Sequence, residues 1–597
     1  MKQRTWGWEL LGVLCLAALG IWLRWPGLFT EGFHNEDAAG ITYNADLLRH
    51  GLVPLVDSHE LKAPGSFFLS YLAWGMLGRS ISALQQVACG WALLAALAMW
   101  AGGRLLAGAR GGFAAGLLYT VCAPITDSID INYIAWMITP YIAGSVACLL
   151  ALRTGRLRWW FASGALIAIS ALMKHQGGLV FPLFVWLIVA RYLPRPAGWA
   201  PAVGRRRGLL ALFGGLAAGF ATIGLYYLAV GEPGAFIRTF FFSQGGWKYA
   251  AQTEIGLEDK LLRLGDGLLG FWAYMAVPSV LAVFAALLTP RGGPMTVRGW
   301  FLGGHLLCSF AGAAIGFRFF KGYYLQILPV ALWLAVLPWG PVLRWLNPAV
   351  WRPGRRGWSA VLAVVLLAAL VPAARGDLRE LQQIRAMRRH PVDQDVQRIG
   401  RLIRANSTPE DTVWVWGRWA WPAYFHGDRL APTPYYKVMG VLTSNLTNTW
   451  RRPTAQTRFV HGEAEAALMA DLRARRPAFI VVSQNEDYRD FKDFRRLLRE
   501  AYEPFPGFTT RRFTFHVRKD QPLPANPRPK AKAKAALPRL DANRLKLNKP
   551  PGPPTLVAPP SGVAPPTLAP ASGAAPASAV ARPPRVVPAS APLTGAP

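Results

Sequence analysis

Glu36 and Asp37 are adjacent carboxylates at the head of the first long polar stretch, just after the first apolar run. Lys62 follows, with a chain break at Pro64. A carboxylate beside a lysine suits two tasks at one place: taking a proton from a hydroxyl or amine, and holding an anion. Two more polar groups sit at the ends of apolar runs: Lys174-His175-Gln176, and Arg318 with Lys321, Tyr323 and Tyr324. Asp127, Asp130 and Asn132 form a lesser group. Each has a plainer reading. Asn35-Glu36-Asp37 can be a helix start, Lys62 a snorkelling lysine, Lys174-His175 a helix end that suits the dipole, and Tyr323-Tyr324 an aromatic belt.

What positions these groups is legible in the composition. The chain is 52% hydrophobic and only 16% charged. Its apolar residues come in runs of about 16 to 25, long enough to cross a bilayer as helices. The 25 tryptophans fit the water–lipid boundary. The five cysteines (Cys15, Cys89, Cys122, Cys148, Cys308) all lie in apolar runs without metal spacing, so they read as small hydrophobes. The run Trp6 to Trp25 has no small-residue cleavage site after it and ends in Arg24-Trp25-Pro26, so it reads as a first span and not a signal peptide.

About eleven spans follow from the apolar runs, near 7–24, 82–103, 111–125, 134–152, 159–173, 177–192, 208–229, 267–289, 299–316, 323–339 and 357–374. One set of loops is short and arginine-rich, for example Arg104/Arg110, Arg153/Arg156/Arg158 and Arg205-Arg206-Arg207. The other holds nearly all the acids, from Glu31 to Glu60, at Asp127/Asp130 and from Glu232 to Asp266. The positive-inside rule makes the first set cytoplasmic. This places the amino terminus inside and the carboxyl-terminal part outside. Residues 65–78 are apolar but short, so they read as a re-entrant or interfacial helix on the outer face. The mixed-charge segment Glu258-Asp259-Lys260, with Trp247-Lys248-Tyr249 before it, reads as a surface-lying helix.

The expected class is therefore mainly α: a polytopic membrane protein followed by a small extracytoplasmic α/β domain and a disordered tail. Residues 1–374 form the membrane part, with the first outer loop at 25–80. In 375–520, Thr412-Val-Trp-Val-Trp416, 478–483 and 512–517 read as strands and 463–474 as a helix. Residues 521–597 are Pro/Ala-rich and basic, without periodicity. The formal charge of +33 is spread over topology-setting loops and this tail, so it does not demand nucleic acid as a partner.

The polar groups share one predicted face. Cations at that depth suit a lipid phosphate, and a carboxylate beside them suits a general base. Together they describe group transfer from a lipid-linked phosphate, with attack at a sugar's anomeric carbon. The alternative is a transporter or flippase of lipid-linked sugars, which would show repeats or broken segments at mid-membrane. The sequence shows neither clearly.

The run Glu36-Asp37, Tyr43, Ala45, Leu48, Gly51, Pro54, Asp57, Lys62-Ala-Pro-Gly65 resembles the first outer loop of GT-C membrane glycosyltransferases. The branch is that of the protein O-mannosyltransferases and the lipid A aminoarabinose transferase. Gly316-Phe-Arg-Phe-Phe-Lys-Gly-Tyr-Tyr-Leu-Gln-Ile-Leu-Pro329 resembles a later segment of that branch, and Thr412 to Gly417, leading to Tyr424, the start of its soluble domain. The resemblance covers roughly residues 7–520. It implies an inverting hexosyl or pentosyl transfer from a polyprenyl-phosphate donor to an envelope lipid, glycan or protein, in a bacterial plasma (inner) membrane. Glu36 and Asp37 would be catalytic. Lys62, Lys174, Arg318 and Lys321 would bind donor phosphate, and His175, Gln176, Tyr323, Tyr324 and Tyr43 would contact substrate. The pair reads Glu-Asp where the branch has Asp-Glu, Ala63 stands in place of a proline, and Gly322 in place of a histidine. Some members of the class need a divalent cation; this sequence holds no metal-ligand constellation beyond the carboxylate pair.

Overall fold

The computed structural model describes residues 3–242, 256–288, 295–337, 356–439, 442–444, 458–459, 461–484, 487–505, 510 and 512–522. The tail and Trp247-Lys248-Tyr249 lie outside the described residues. The first helices are α1 (Gln3–Arg24), α2 (Glu36–Arg49), α3 (Gly65–Leu77), α4 (Ile81–Cys122), α5 (Tyr133–Thr154), α6 (Leu157–Met173), α7 (Phe181–Val189), α8 (Arg205–Ala229), α9 (Leu257–Leu288), α10 (Val297–Ala314), α11 (Leu328–Val336) and α12 (Arg356–Met387). Among the described residues five helices are long and apolar enough to cross a membrane. One of them, α4, holds two helices joined at Gly108, whose φ of 78° permits the sharp reversal.

Three elements differ from the sequence expectation. The runs 177–192 and 323–339 read as uninterrupted spans, yet each opens with a 3-10 turn, His175–Gly178 and Lys321–Gln326. Only then do the short helices α7 and α11 begin, each with a proline in its first turn. Irregular backbone at that depth is tolerated where it lines a cavity, as these two turns do. Glu258-Asp259-Lys260 is not a separate surface helix: it forms the first turn of α9, where acids suit the dipole. Helix α3, at 13 residues, is about 20 Å long and too short to span.

Helices α6 and α8 touch backbone to backbone. A Cβ at Gly164 would sit 2.0 Å from the Leu212 carbonyl oxygen, and one at Gly215 would sit 1.9 Å from that of Phe161. Small residues on facing helices are what permit such contact in lipid, where tight packing replaces hydrophobic driving force.

After α12 come α13 (Gln394–Ala405), β1 (Val413–Trp416), α14 (Pro422–Gly427), α15 (Glu463–Arg475), β2 (Phe479–Ser483), α16 (Lys492–Ala501), β3 (Tyr502–Pro504) and β4 (Phe513–Arg518). The sheet order is β1-β2-β4-β3, with β1 and β2 parallel and the other pairs antiparallel. The edge strand β3 and helix α16 are additions to the sequence expectation. Alternation in β1 divides two cores. Val413 and Val415 join the large core shared with α2 and the membrane helices, whereas Trp414 and Trp416 pack with α15 and α16 on the far side.

Gly215→Ala should lower the melting temperature in detergent far more than the neighbouring Gly214→Ala, whose Cβ would have 3.9 Å of room. Overpacking of this kind costs roughly 1–3 kcal/mol. Equal melting temperatures would refute close α6–α8 contact.

Candidate active site

Helix α2 begins at the carboxylate pair because Asn35 caps it: its Oδ1 accepts from the Ala38 N–H at 2.9 Å. Glu36 and Asp37 thus occupy the first turn, where the helix dipole favours negative charge. They open onto a cavity of about 480 Å³, lined also by Glu60, Lys62, Asp127, Tyr133, Lys174, His175, Gln176, Arg318, Lys321 and Tyr323. The helices before α12 and the turns between them therefore bring the pair, Lys62, Lys174, Arg318 and Lys321 to one chamber. The segment after β1 adds Arg418, Trp421, Lys437 and Met439.

The two carboxyls are electrostatically distinct. Burial raises Glu36 above its ordinary range, and Arg418, whose Nε lies 3.4 Å from Oε1, opposes that only in part. The Asp37 side chain is 47% exposed and lines the cavity. Burial pushes its carboxyl up, but the ion pair with Lys62, with Lys174 and Lys437 farther off, outweighs it and leaves Asp37 below the usual range. Environments that push neighbouring titratable groups apart separate their acid–base roles.

Lys62 also lies over the Tyr133 ring, 4.2 Å from its centroid. Its backbone N–H, with that of Leu61, donates to Glu60 Oε1 at 3.1 and 2.8 Å. Glu60 is buried, paired with Lys437, and accepts from the Tyr436 hydroxyl at 2.5 Å. Burial raises the Glu60 carboxyl, but Lys437 and Lys62 outweigh it, so it stays ionised below its ordinary range.

Lys174 follows the last turn of α6, and its Nζ lies 4.3 Å from the centroid of Tyr323. Burial lowers its ammonium to about 8, against the pull of Asp37. His175 Nε2 lies 3.1 Å from the Phe240 carbonyl oxygen; because a carbonyl only accepts, that nitrogen carries the proton. Gln176 donates to the Gly312 carbonyl at 2.8 Å. Arg318 is buried between two phenylalanines in left-handed backbone, Phe317 at φ 47° and Phe319 at φ 50°. Bulky residues avoid that region, so the strain there is held by the surrounding packing. Asp127, at φ 69°, faces Lys321, and burial raises its carboxyl to about 6. A Cβ on Gly322 would lie 3.3 Å from Ile134 and 3.4 Å from the Asp127 carboxylate, which leaves a larger residue little room there.

Two expected substrate contacts are not part of the chamber wall. Tyr43 is buried and stacks on Tyr436, with 4.1 Å between centroids, and its hydroxyl accepts from the Ala431 N–H. Tyr324 follows Tyr323 in a 3-10 turn, which rotates it away; its hydroxyl donates to the Gly267 carbonyl at 2.6 Å. Both serve packing. The sequence reading missed Glu60, Arg418 and Lys437. The one local signal was Gly417, at φ 88°, which ends β1 and sends the chain into the Arg418 turn.

No known protein-family profile matches the sequence, and the comparison with curated proteins found no match. Solved structures do. ArnT from Cupriavidus metallidurans bound to undecaprenyl phosphate aligns at a TM-score of 0.54 and 15% identity, over 86% of this chain and 98% of that one. Its apo form aligns at 0.53 and 15% identity, over the same shares. The Archaeoglobus fulgidus oligosaccharyltransferase tethered to an acceptor peptide aligns at 0.47 and 13% identity, over 86% of this chain and 75% of that one. The chain has the fold of ArnT.

Proposed function

We propose that the chain transfers a sugar from a polyprenyl-phosphate donor to a cell-envelope acceptor, by an inverting single displacement on the outer face of a bacterial plasma membrane. The observation that carries this reading is the chamber itself. Carboxylates and cations from distant parts of the sequence face one space at the ends of apolar helices. The ArnT likeness supports it, since that structure holds undecaprenyl phosphate.

In this reading Glu36 is the base. Its raised carboxyl makes it a better proton acceptor than Asp37, whose charge is engaged by Lys62. Glu36 takes the proton from an acceptor hydroxyl or amine as that group attacks the anomeric carbon. The bond from that carbon to the phosphate oxygen breaks, and the phosphate leaves with the electron pair. Lys62, Lys174, Arg318 and Lys321 stabilise the charge that develops on it. Asp37 holds Lys62 in place, and Tyr323 holds Lys174. Among the described residues no group of three or more His, Cys, Asp or Glu could hold a metal ion. Asp37 and Glu60 each have a lysine as partner.

The broken segments at His175–Gly178 and Lys321–Gln326 also fit a flippase of lipid-linked sugars. Purified protein in detergent separates the two readings. Sugar transfer from a labelled polyprenyl-phosphate donor needs no second compartment, whereas flipping does. Glu36→Gln should lower kcat by roughly 10²- to 10⁴-fold, and Lys62→Met should weaken both kcat and donor use. Wild-type turnover in both folded variants would rule out the assigned site.

The depressed ammonium of Lys174 gives a separate test. The folded group loses its charge as pH rises through about 8. Its attraction for donor phosphate is therefore complete below that pH and lost above it. Donor kcat/KM, which reports the free protein, should fall across that range. Lys174→Arg should abolish the fall, because guanidinium stays charged, and Lys174→Gln should be low at every pH. A step at pH 8 that survives in Lys174→Gln would assign it to another group.

A further inference from the structure

Helix α2 does not stand alone in the loop. Its cap residue Asn35 uses its second polar atom elsewhere: Nδ2 donates to Asp130 Oδ2 at 2.7 Å and to the Ile131 carbonyl at 3.1 Å. Asp130 is buried in the segment before α5, and its Oδ1 accepts from Gln85 Nε2 of α4 at 2.8 Å and from the Ile131 N–H at 2.7 Å. Arg388, the first residue beyond α12, is 3% exposed. Its Nη2 donates to Gln85 Oε1 at 2.6 Å, and its Nη1 lies 3.8 Å from Asp130 Oδ1.

The backbone follows the same path. Val392 N–H donates to the Phe33 carbonyl at 3.0 Å. Two glycines in the loop make room for the junction. A Cβ at Gly27 would lie 2.4 Å from the Arg388 guanidinium, and one at Gly32 would lie 2.2 Å from Pro391. Segment 388–392 joins the last membrane helix to the soluble part, and it is fitted by charge and shape against residues 27–35. Those residues lead directly into Glu36 and Asp37.

We propose that Arg388 is a positioning residue for Glu36 and Asp37, acting through Asp130 and Asn35, so that seating of the membrane-to-soluble junction sets the geometry of the carboxylate pair. The assignment rests on the glycosyl-transfer reading of the site. Asn35 can cap α2 and also bond Asp130 only if the Asp130 carboxylate is held where it is. A buried carboxylate needs a nearby cation for that, and Arg388 supplies it. A loosened junction displaces the first turn of α2, and a displacement near 1 Å at the reacting groups can cost about 100-fold in rate.

Asn35→Ser separates capping from positioning, because serine is as good a cap as asparagine but cannot donate in the same direction to Asp130. The expected result is a kcat about tenfold lower or worse, donor KM within about twofold, and an almost unchanged melting temperature. Arg388→Gln should show the same split between kcat and KM, with a lower melting temperature because Asp130 is left buried without its cation. Asp130→Asn added to Arg388→Gln removes both buried charges, and its kcat loss should be much less than the product of the single losses. Arg388→Lys should restore part of the rate. Lower melting temperatures with wild-type kcat in Asn35→Ser and Arg388→Gln would overturn the proposal, and multiplicative losses in the double variant would overturn the coupling. Should Arg388→Gln fail to fold, Asn35→Ser decides. Absence of sugar transfer by the wild type would defeat the transferase reading instead. In that event the modification rate of Glu36 and Asp37 by a water-soluble carbodiimide, read by mass spectrometry, judges the positioning. A several-fold change in Asn35→Ser supports it, and an unchanged rate overturns it.

Discussion

Lys437, in the segment after β1, reaches into the chamber and pairs with Glu60, between α2 and α3. Neither has access to bulk water in any quantity, since their side chains are 7% and 0% exposed. A charge in such a place is sustained only by its partner, and removing one member of a buried pair typically costs roughly 3–5 kcal/mol. Much else depends on this contact. Glu60 accepts from the N–H groups of Leu61 and Lys62 and from Tyr436, so the pair fixes the backbone from which Lys62 extends. Tyr436 in turn stacks on Tyr43 of α2. The segment after β1 thus lines the chamber and supplies some of its charge.

That charge has a pattern. Among the described residues the chamber wall holds six cations (Lys62, Lys174, Arg318, Lys321, Arg418, Lys437) and four carboxylates (Glu36, Asp37, Glu60, Asp127). A polyprenyl-phosphate sugar is a phosphodiester with one negative charge. The released polyprenyl phosphate is a monoester that approaches two. For the proposed transfer, an excess of two positive charges matches the leaving group better than the donor. Interactions that strengthen as charge develops are the ones that raise kcat, because they are absent from the ground state. In the same proposed transfer the acceptor's proton would go to Glu36, which has Arg418 beside it.

The fold is legible where hydropathy and residue chemistry act locally. Apolar runs fix where helices can cross, and polar residues at their ends must lie near the boundary. For that reason the order of residues alone groups Lys62, Lys174, Arg318 and Lys321 with the carboxylate pair, and they do face one cavity. What depends on docking is not legible. No periodicity in 418–437 says that Arg418 and Lys437 turn inward, because that follows from how the sheet seats on α2. Tyr43 and Tyr324 lie close in sequence to other site residues, but rotation about the helix or 3-10 axis sends each into packing. The breaks at 175–178 and 321–326 leave no mark on the hydropathy, because a window long enough to detect a span averages across them.

The strain around Arg318 shows what such a chamber requires. Left-handed backbone at Phe317 and Phe319 costs on the order of 1–3 kcal/mol each, and an unstrained loop was available to any sequence with glycine there. The packing that opposes the cost is specific. The Phe319 ring lies where a Cβ on Gly267 would be, 2.5 Å from its nearest ring atom, and the Tyr324 hydroxyl binds the Gly267 carbonyl. Helix α9 therefore packs against the loop beside Arg318 and is tied to the 321–326 turn. A flexible glycine loop would let Arg318 follow the donor phosphate, but each turnover would then include the cost of ordering it. Cations fixed beforehand stabilise developing charge without that reorganisation, and the buried ion pairs, the two phenylalanines and the Asn35 cap all serve that same end.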